Sequence, residues 1–293
     1  MKKQKLLNQA IFNLLFIFVC MLVIIPFVLV VSASLSSEKD IVEYGYQIIP
    51  KNLDLSAYRY IFKNPKSIIN AYKITFLFSV IYTFLSTLLM SMLAHMLSKR
   101  NLKGKSFFAF YIYFTMLFSG GLVPTYILNT QMLHLDDTIW IYIVPSLITP
   151  WYVFLLRTFF QGIPYEINEA AVVDGANEYT IFLKIVLPLS KPALATVALF
   201  MFLGKWNDWY TSMLYINDES LISLQYLLQR IMQNIKLIQE ASYDTSMLAE
   251  TTEIPSETVR MAMAIVVAGP ALVVFPFFQK YFVKGLTVGS VKG

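Results

Sequence analysis

An apolar run, residues 199–216 (LFMFLGKWNDWYTSMLYI), carries Lys205, Asn207 and Asp208 among Trp206, Trp209 and Tyr210. An ammonium, an amide and a carboxylate this close suit three kinds of chemistry. Ionisable side chains inside an apolar span can relay a proton or ion. Alternatively, Asn and Asp can meet the hydroxyls of a sugar while the aromatic rings cover its flat C–H faces. The third role is structural: a buried ion pair that fixes helix packing, with the tryptophans as an interfacial belt. Read as one helix, Lys205 shares a face with Asp208 and Trp209, three and four positions on. A lone charge at that depth costs at least ~2.5 kcal/mol. The spacing therefore predicts that Lys205 pairs with Asp208 and that their face turns toward other helices or a water-filled path. Gly204, just before, either loosens the helix or lets a neighbour approach.

A second constellation lies upstream, in GIPYEINEAAVVDGANEYTIFLKIVLPLSKP, residues 162–192. Pro164 suits a first helical position, where its missing N–H goes unnoticed. Glu166 and Glu169 follow in the first turns, favourable to the helix dipole. Ile167, Ala170, Ala171 and Asp174 then recur at helical spacing, and the two alanines make that face low and smooth. Gly175 is placed to end the helix, and Asn177 to cap a second one. Phe182, Ile185 and Leu189 give the second helix an apolar face, closed by Pro188 and Pro192. The residues alone outline two short helices at an angle, serving either as an interfacial linker or as a docking surface.

Other chemistry is excluded. Gly104-Lys105-Ser106 resembles the end of a phosphate loop, but the earlier glycine that motif requires falls on Lys99,. Cys20 is the single cysteine, so neither an intrachain disulfide nor a thiolate metal site can form,. His95 and His134 are far apart, and no nucleophile–base or metal-ligand spacing stands out. The net charge of +5 follows membrane orientation and implies no nucleic acid.

The elements that must position these residues are membrane helices. Of the 293 residues 57% are hydrophobic and 14% charged, against about 25% charged in soluble domains. Apolar runs cover residues 11–31, 74–97, 107–128, 139–156, 192–216 and 261–278. The third is broken by Ser119-Gly120-Gly121 and Pro124, the last by Gly269-Pro270 and Pro276. Runs of this length span lipid only as helices, because lipid offers no partner to backbone polar groups. The first run is too long for a cleaved signal core and reads as a retained helix. With the N-terminus inside, thirteen of the 23 Lys and Arg residues fall on inner segments and seven on outer ones. That bias predicts both termini in the cytoplasm. Residues 34–67 read as an extracellular excursion. Leu221, Leu224, Leu228, Ile231, Ile235 and Ile238 form a helical stripe in the last outer segment, with Asp218, Glu219 and Ser220 at its start,. That segment is also acidic, with Glu240, Asp244, Glu250, Glu253 and Glu257.

The run Glu169-Ala170-Ala171, three residues, Gly175, nine residues, Ile185, one residue, Leu187-Pro188 resembles the EAA loop of ATP-binding-cassette importer permeases at each of these positions. FSGGLVPTYIL (118–128) and KWNDWYTSMLYI (205–216) are similar to the carbohydrate branch, especially its oligosaccharide permeases from Gram-positive bacteria. The resemblance implies an all-α integral membrane protein with six transmembrane helices in the type I importer permease fold. It divides the chain into an N-terminal helix and excursion (1–66), a permease core (67–280) holding the coupling loop (159–191), and a cytoplasmic tail (281–293). It implies that Glu169, Ala170, Ala171, Asp174 and Gly175 enter a groove on an ATPase, braced by Ile185, Leu187 and Pro188. It also implies no catalysis and no cofactor on this chain, with Mg-ATP bound on two copies of a cytoplasmic ATPase. The implied partners are a second homologous permease, an extracellular sugar-binding protein and membrane lipid, in a bacterial cell membrane. Lys205, Trp206, Asn207, Asp208, Trp209 and Tyr210 are the candidate substrate path. The alternatives are a secondary transporter or channel with Lys205 and Asp208 as an ion relay, or a membrane scaffold.

Overall fold

A computed structural model describes residues 2–244 and 256–290. Glu250 and Glu253 of the acidic segment, and the end of the C-terminal tail, lie outside the described residues. No strand occurs among the described residues. The helices are α1 (Lys2–Ser34), α2 (Glu38–Tyr44), α3 (Ser56–Ile61), α4 (Pro65–Ser98), α5 (Lys105–Leu117), α6 (Leu122–Ile127) and α7 (Pro150–Gln161). They continue as α8 (Tyr165–Val173), α9 (Glu178–Ile181), α10 (Leu187–Leu189), α11 (Lys191–Trp206), α12 (Tyr210–Tyr215), α13 (Leu224–Asp244) and α14 (Ser256–Ser290).

Among the described residues, three stretches are long and apolar enough to cross a membrane unbroken: Asn8–Ser34, Pro65–Ser98 and Ser256–Pro276. Three bent helix pairs among the described residues are also long and apolar enough when taken together, which brings the total to six if each pair is one span. Lys105–Leu117 meets Leu122–Met132 at 111°, across the Ser119-Gly120-Gly121 break read from the sequence. Ile139–Ser146 meets Pro150–Gln161 at 54°, so the fourth apolar run starts as 3-10 turns rather than α-helix. Glu178–Leu189 meets Lys191–Trp206 at 81°.

The chain divides into two units, Met1–Ile68 with Leu228–Pro270, and Ile69–Leu227 with Ala271–Gly293. In the first, none of the central window of α1 is buried, as suits a helix whose neighbour is lipid. The excursion after α1 is not plain loop. Ser37 caps α2 through the Asp40 N–H, and Glu38 then reaches the start of α14. Its carboxylate accepts the N–H groups of Glu257 and Thr258, each at 2.9 Å, and the Thr258 hydroxyl at 2.8 Å. A carboxylate at a helix N-terminus meets unpaired N–H groups and the positive end of the dipole.

In the second unit, a buried polar stripe on α4 holds the irregular fourth span. Thr75, Ser79, Tyr82 and Ser86, spaced four, three and four apart, are all buried. Tyr82 donates its O–H to the Ser146 carbonyl at 2.9 Å, and Ser86 donates to Leu147 at 2.6 Å. Carbonyls freed by non-α backbone at membrane depth need such internal partners. Phe78 stacks on Tyr142 with centroids 4.1 Å apart.

Asp137 ties two turns of this unit together. Its backbone is left-handed, with φ 49°, a conformation that aspartate tolerates better than most residues. Its carboxylate accepts the backbone N–H groups of Asn217 and Asp218 and the Asn217 side-chain amide. These bonds, that from Asp218 first, hold its carboxyl below the usual carboxylate range. A carboxyl depressed on folding stabilises the fold above its unfolded value and loses that contribution as pH falls through the folded one. Protection of the Asn217 and Asp218 amides in hydrogen exchange should therefore persist through mild acid and collapse only below the usual carboxylate range. In Asp137→Ala it should be lost at all pH values. Unchanged protection in that variant would refute the staple.

Helix α13 starts one turn later than its acidic prelude suggests. Asp218 caps a 3-10 turn, Glu219–Leu221, by accepting the Ser220 N–H. The N–H of Leu224, the first residue of α13, goes to the Thr75 hydroxyl at 2.8 Å. Of the predicted stripe, Leu224, Leu228 and Ile235 are buried, while Ile238 is exposed.

Candidate functional site

The hairpin of residues 162–192 folds largely as its residues dictate. Pro164 sits at the cap position and α8 begins at Tyr165, one residue later than predicted. At its other end the Gly175 N–H bonds the Val172 carbonyl at 3.0 Å, and the Ala176 N–H bonds Ala171 at 2.9 Å. This pair of bonds is a Schellman motif, which needs a left-handed residue after the cap. Gly175 supplies it with φ 81°. Asn177 then accepts the Thr180 N–H at 2.8 Å and starts α9.

Residues Phe182–Val186 form a π-turn between α9 and α10. The extra residue shifts the side-chain register, so the buried positions are Ile181, Phe182, Val186 and Ser190. The predicted face of Phe182, Ile185 and Leu189 survives in part: Phe182 is buried and Ile185 packs half-buried against the core, whereas Leu189 is exposed. The predicted smooth face of α8 also divides. Ala171 is buried against the chain's own core, whereas Glu169, Ala170, Asp174 and Gly175 are exposed. Ile185 and Leu187 are half-buried and Pro188 is exposed. The hairpin also shows water large apolar groups that sequence reasoning missed. Val173 is 86% exposed and Tyr179 73%, beyond what a free surface usually carries so close together. Their signal was available: apolar residues at positions outside the inward stripe.

The membrane cluster differs more from its reading as one helix. Helix α11 ends at Trp206, and Asn207–Trp209 form a break before α12. Lys205 and Trp209 therefore do not share a helical face. Lys205 and Asp208 do pair, at 2.9 Å, with side chains 11% and 14% exposed. Asp208 also accepts the Thr211 N–H at 3.0 Å and the Thr211 hydroxyl at 2.8 Å, so it pins the first turn of α12. The Lys205 ammonium lies 5.0 Å from the centre of the Tyr82 ring. Asn207 closes α11 by donating to the Leu203 carbonyl at 2.8 Å, and accepts from Gln225. Trp206 is buried, with its ring 5.9 Å from Phe202 and 6.2 Å from Tyr72. It has no open face for a ligand. Trp209 and Tyr210 meet edge to face.

Beside the break lies a cavity of about 260 Å³. Lys205, Tyr210, Thr211, Asn129, Thr125 and Ser146 contribute its polar wall. The Ser146 hydroxyl is buried without a hydrogen-bond partner. Hydroxyls, an amide, an ammonium and aromatic edges around a small cavity suit a polyhydroxylated ligand. No group of three or more His, Cys, Asp or Glu side chains able to hold a metal occurs among the described residues.

Residues 6–288 match the family described as binding-protein-dependent transport system inner membrane component. The chain is 38% identical to the polygalacturonan/rhamnogalacturonan transport system permease protein YtcP of Bacillus subtilis (strain 168), over 99% of this chain and 100% of that protein. It is 28% identical to the arabinooligosaccharides transport system permease protein AraQ of Halalkalibacterium halodurans, over 95% of this chain and 94% of that protein. A crystal structure of a bacterial ABC transporter involved in the import of the acidic polysaccharide alginate contains a chain of the same fold. The TM-score is 0.78 and the identity 28%, covering 96% of this chain and 98% of that one.

Proposed function

Because the chain belongs to the binding-protein-dependent transport system inner membrane components, we propose that it is a permease subunit of an ATP-driven oligosaccharide importer. The similarity to YtcP, AraQ and the alginate importer supports a sugar oligomer as cargo. The observation that carries the mechanism is the hairpin. Its glycine-terminated helix α8 offers Glu169, Ala170 and Asp174 to solvent, while Ala171 anchors it to the core. An element exposed on one side and rooted on the other can take a push from a partner and pass it to the bundle. The partners are two copies of a cytoplasmic ATPase carrying Mg-ATP, a second homologous permease and an extracellular sugar-binding protein. Both termini face the cytoplasm, and the chain itself hydrolyses nothing. Motion of the hairpin alternates access to a path between the two permeases.

Within that path the cavity beside the break contributes Lys205 and Tyr210. Trp206 and Asn207 brace it, since their polar atoms and faces are engaged internally. An ion relay draws less support, because Asp208 is bonded to Lys205 and Thr211 rather than to a chain of further ionisable groups.

The tagged chain, purified from its host membrane, should bring with it an ATPase and a second permease. The assembly should hydrolyse ATP faster when loaded binding protein is added. Recovery of the chain alone, with uptake intact in a strain lacking the ATPase, would end this reading. In the same assembly Asn207→Ala should lower the thermal midpoint slightly yet shift the apparent sugar affinity by less than about twofold, as expected when an exposed helix cap is lost,. A larger affinity shift would move Asn207 from brace to binding site.

A further inference from the structure

Four helix ends and a loop enclose a second, larger cleft, of about 970 Å³, in the second unit. Helix α4 ends at Ser98, α5 starts at Lys105 and α7 ends at Gln161, and all three residues line it together with Tyr165 and Asn168 of α8. Spans ending together place the cleft at the edge of the hydrocarbon, at headgroup depth.

Its charge is unbalanced. Lys99, Arg100, Lys103 and Lys105 face Glu169 and Glu178. Lys99 is paired with Glu178, which leaves three cations against one carboxylate. Lys105 donates to the Lys99 carbonyl at 2.9 Å, and Arg100 lies 4.8 Å from the Tyr165 ring centre. Among the described residues, no carboxylate lies within ion-pair distance of Arg100, Lys103 or Lys105. Two buried polar atoms in the wall, His95 Nε2 and Asn168 Oδ1, carry no hydrogen bond, and His95 Nε2 lies 3.8 Å from the Glu178 carboxylate. Leu102, Phe160, Ile163 and Val172 give the wall an apolar part, beside Ser98, Asn101 and Gln161.

We propose that this cleft binds the headgroup of an anionic phospholipid, its phosphate on Arg100 and Lys103 and a headgroup hydroxyl on Asn168. Basic pockets between spans at a membrane face suit such headgroups, and Asn offers the acceptor that a glycerol hydroxyl needs. The apolar part of the wall favours a lipid over a free phosphate, since only the lipid has glycerol esters to bury there. A bound lipid would link the 98–105 loop to α8, and so touch the hairpin without being part of it. The site rests on the cleft and not on the transport reading, because lipid retention is measured without transport.

The test is native mass spectrometry of the assembled protein drawn from vesicles of phosphatidylglycerol and phosphatidylcholine. Wild-type protein should retain phosphatidylglycerol in preference. Arg100→Gln with Lys103→Gln should lower that retention about tenfold, given the size of basic-residue contributions at anionic surfaces. Both side chains are exposed, and the single Lys103→Gln serves should the pair fail to assemble, with a smaller loss in the same direction. Lys63→Gln with Lys66→Gln, the same charge change at another place, should leave retention within about twofold. Equal retention of both lipids, an equal fall in both double variants, or no fall in either overturns the proposal. Displacement of the lipid by inorganic phosphate alone also overturns it, in favour of a soluble-anion site.

Discussion

Gly175→Val should remove coupled sugar uptake almost completely while the protein remains inserted and expressed. A Cβ at Gly175 would meet no heavy atom within 4 Å, so the space beside it is open. The damage is in the backbone, where φ is 81°. A left-handed conformation costs an L-residue roughly 1–2 kcal/mol, and a β-branched one more. That is enough to shift the end of α8 out of its Schellman turn in most molecules, about a tenfold or greater loss. The same logic ranks substitutions: asparagine should keep most of the activity, alanine less, valine least. Uptake of labelled sugar in a deletion strain, normalised to membrane-inserted protein, gives the ranking, and recovery of the ATPase on purification should follow it. Equal uptake by the valine and asparagine variants would show that hairpin geometry does not transmit force.

The second large effect is an asymmetry within the ion pair. Asp208→Ala should destabilise the protein far more than Lys205→Met. Breaking a buried pair by removing one member costs about 3–5 kcal/mol when the remaining charge is left uncompensated. Without Asp208, Lys205 keeps only the Tyr82 ring, and α12 loses the acceptor for the Thr211 N–H and hydroxyl. Without Lys205, Asp208 keeps both Thr211 donors, so its charge stays solvated by hydrogen bonds. Thermal midpoints in detergent should fall steeply for the alanine variant and modestly for methionine, with Lys205→Met/Asp208→Leu between them. Equal falls would mean that the carboxylate's second duty, pinning α12, is unimportant.

What the amino-acid order reveals here is what depends on near neighbours. Gly175 and Asn177 announced the ends of their helices because a left-handed turn and an N-cap are settled within a few residues. Ser119-Gly120-Gly121 announced the break after α5 in the same way. The end of α11 gave no such notice, since no glycine or proline follows Trp206. It depends on Asp208 choosing the Thr211 N–H over a continuing helix, and on Ser223, fifteen residues on, donating to the Asp208 carbonyl. The π-turn at Phe182–Val186 was equally hidden, because a single extra residue leaves composition unchanged while it turns every later side chain. The Glu38 cap on α14 joins residues 219 and 220 positions apart. The positions proposed for coupling were legible as a spacing; which of them face water was not, because Ala171 and Ala170 are chemically alike and only packing separates them.

The gap at residues 118–121 has a consequence for the bilayer itself. It ends one helix and starts another, and so presents carbonyls and amides that hydrocarbon cannot satisfy. Residues 207–209 have no such need, since their N–H groups bond Leu203, Lys205 and Asn207 and the Asp208 carbonyl takes the Ser223 hydroxyl. A continuous rod such as α1 can be wetted by lipid along its length, but the 118–121 flank cannot. That sector of the lipid annulus must therefore be closed by water or by another polypeptide.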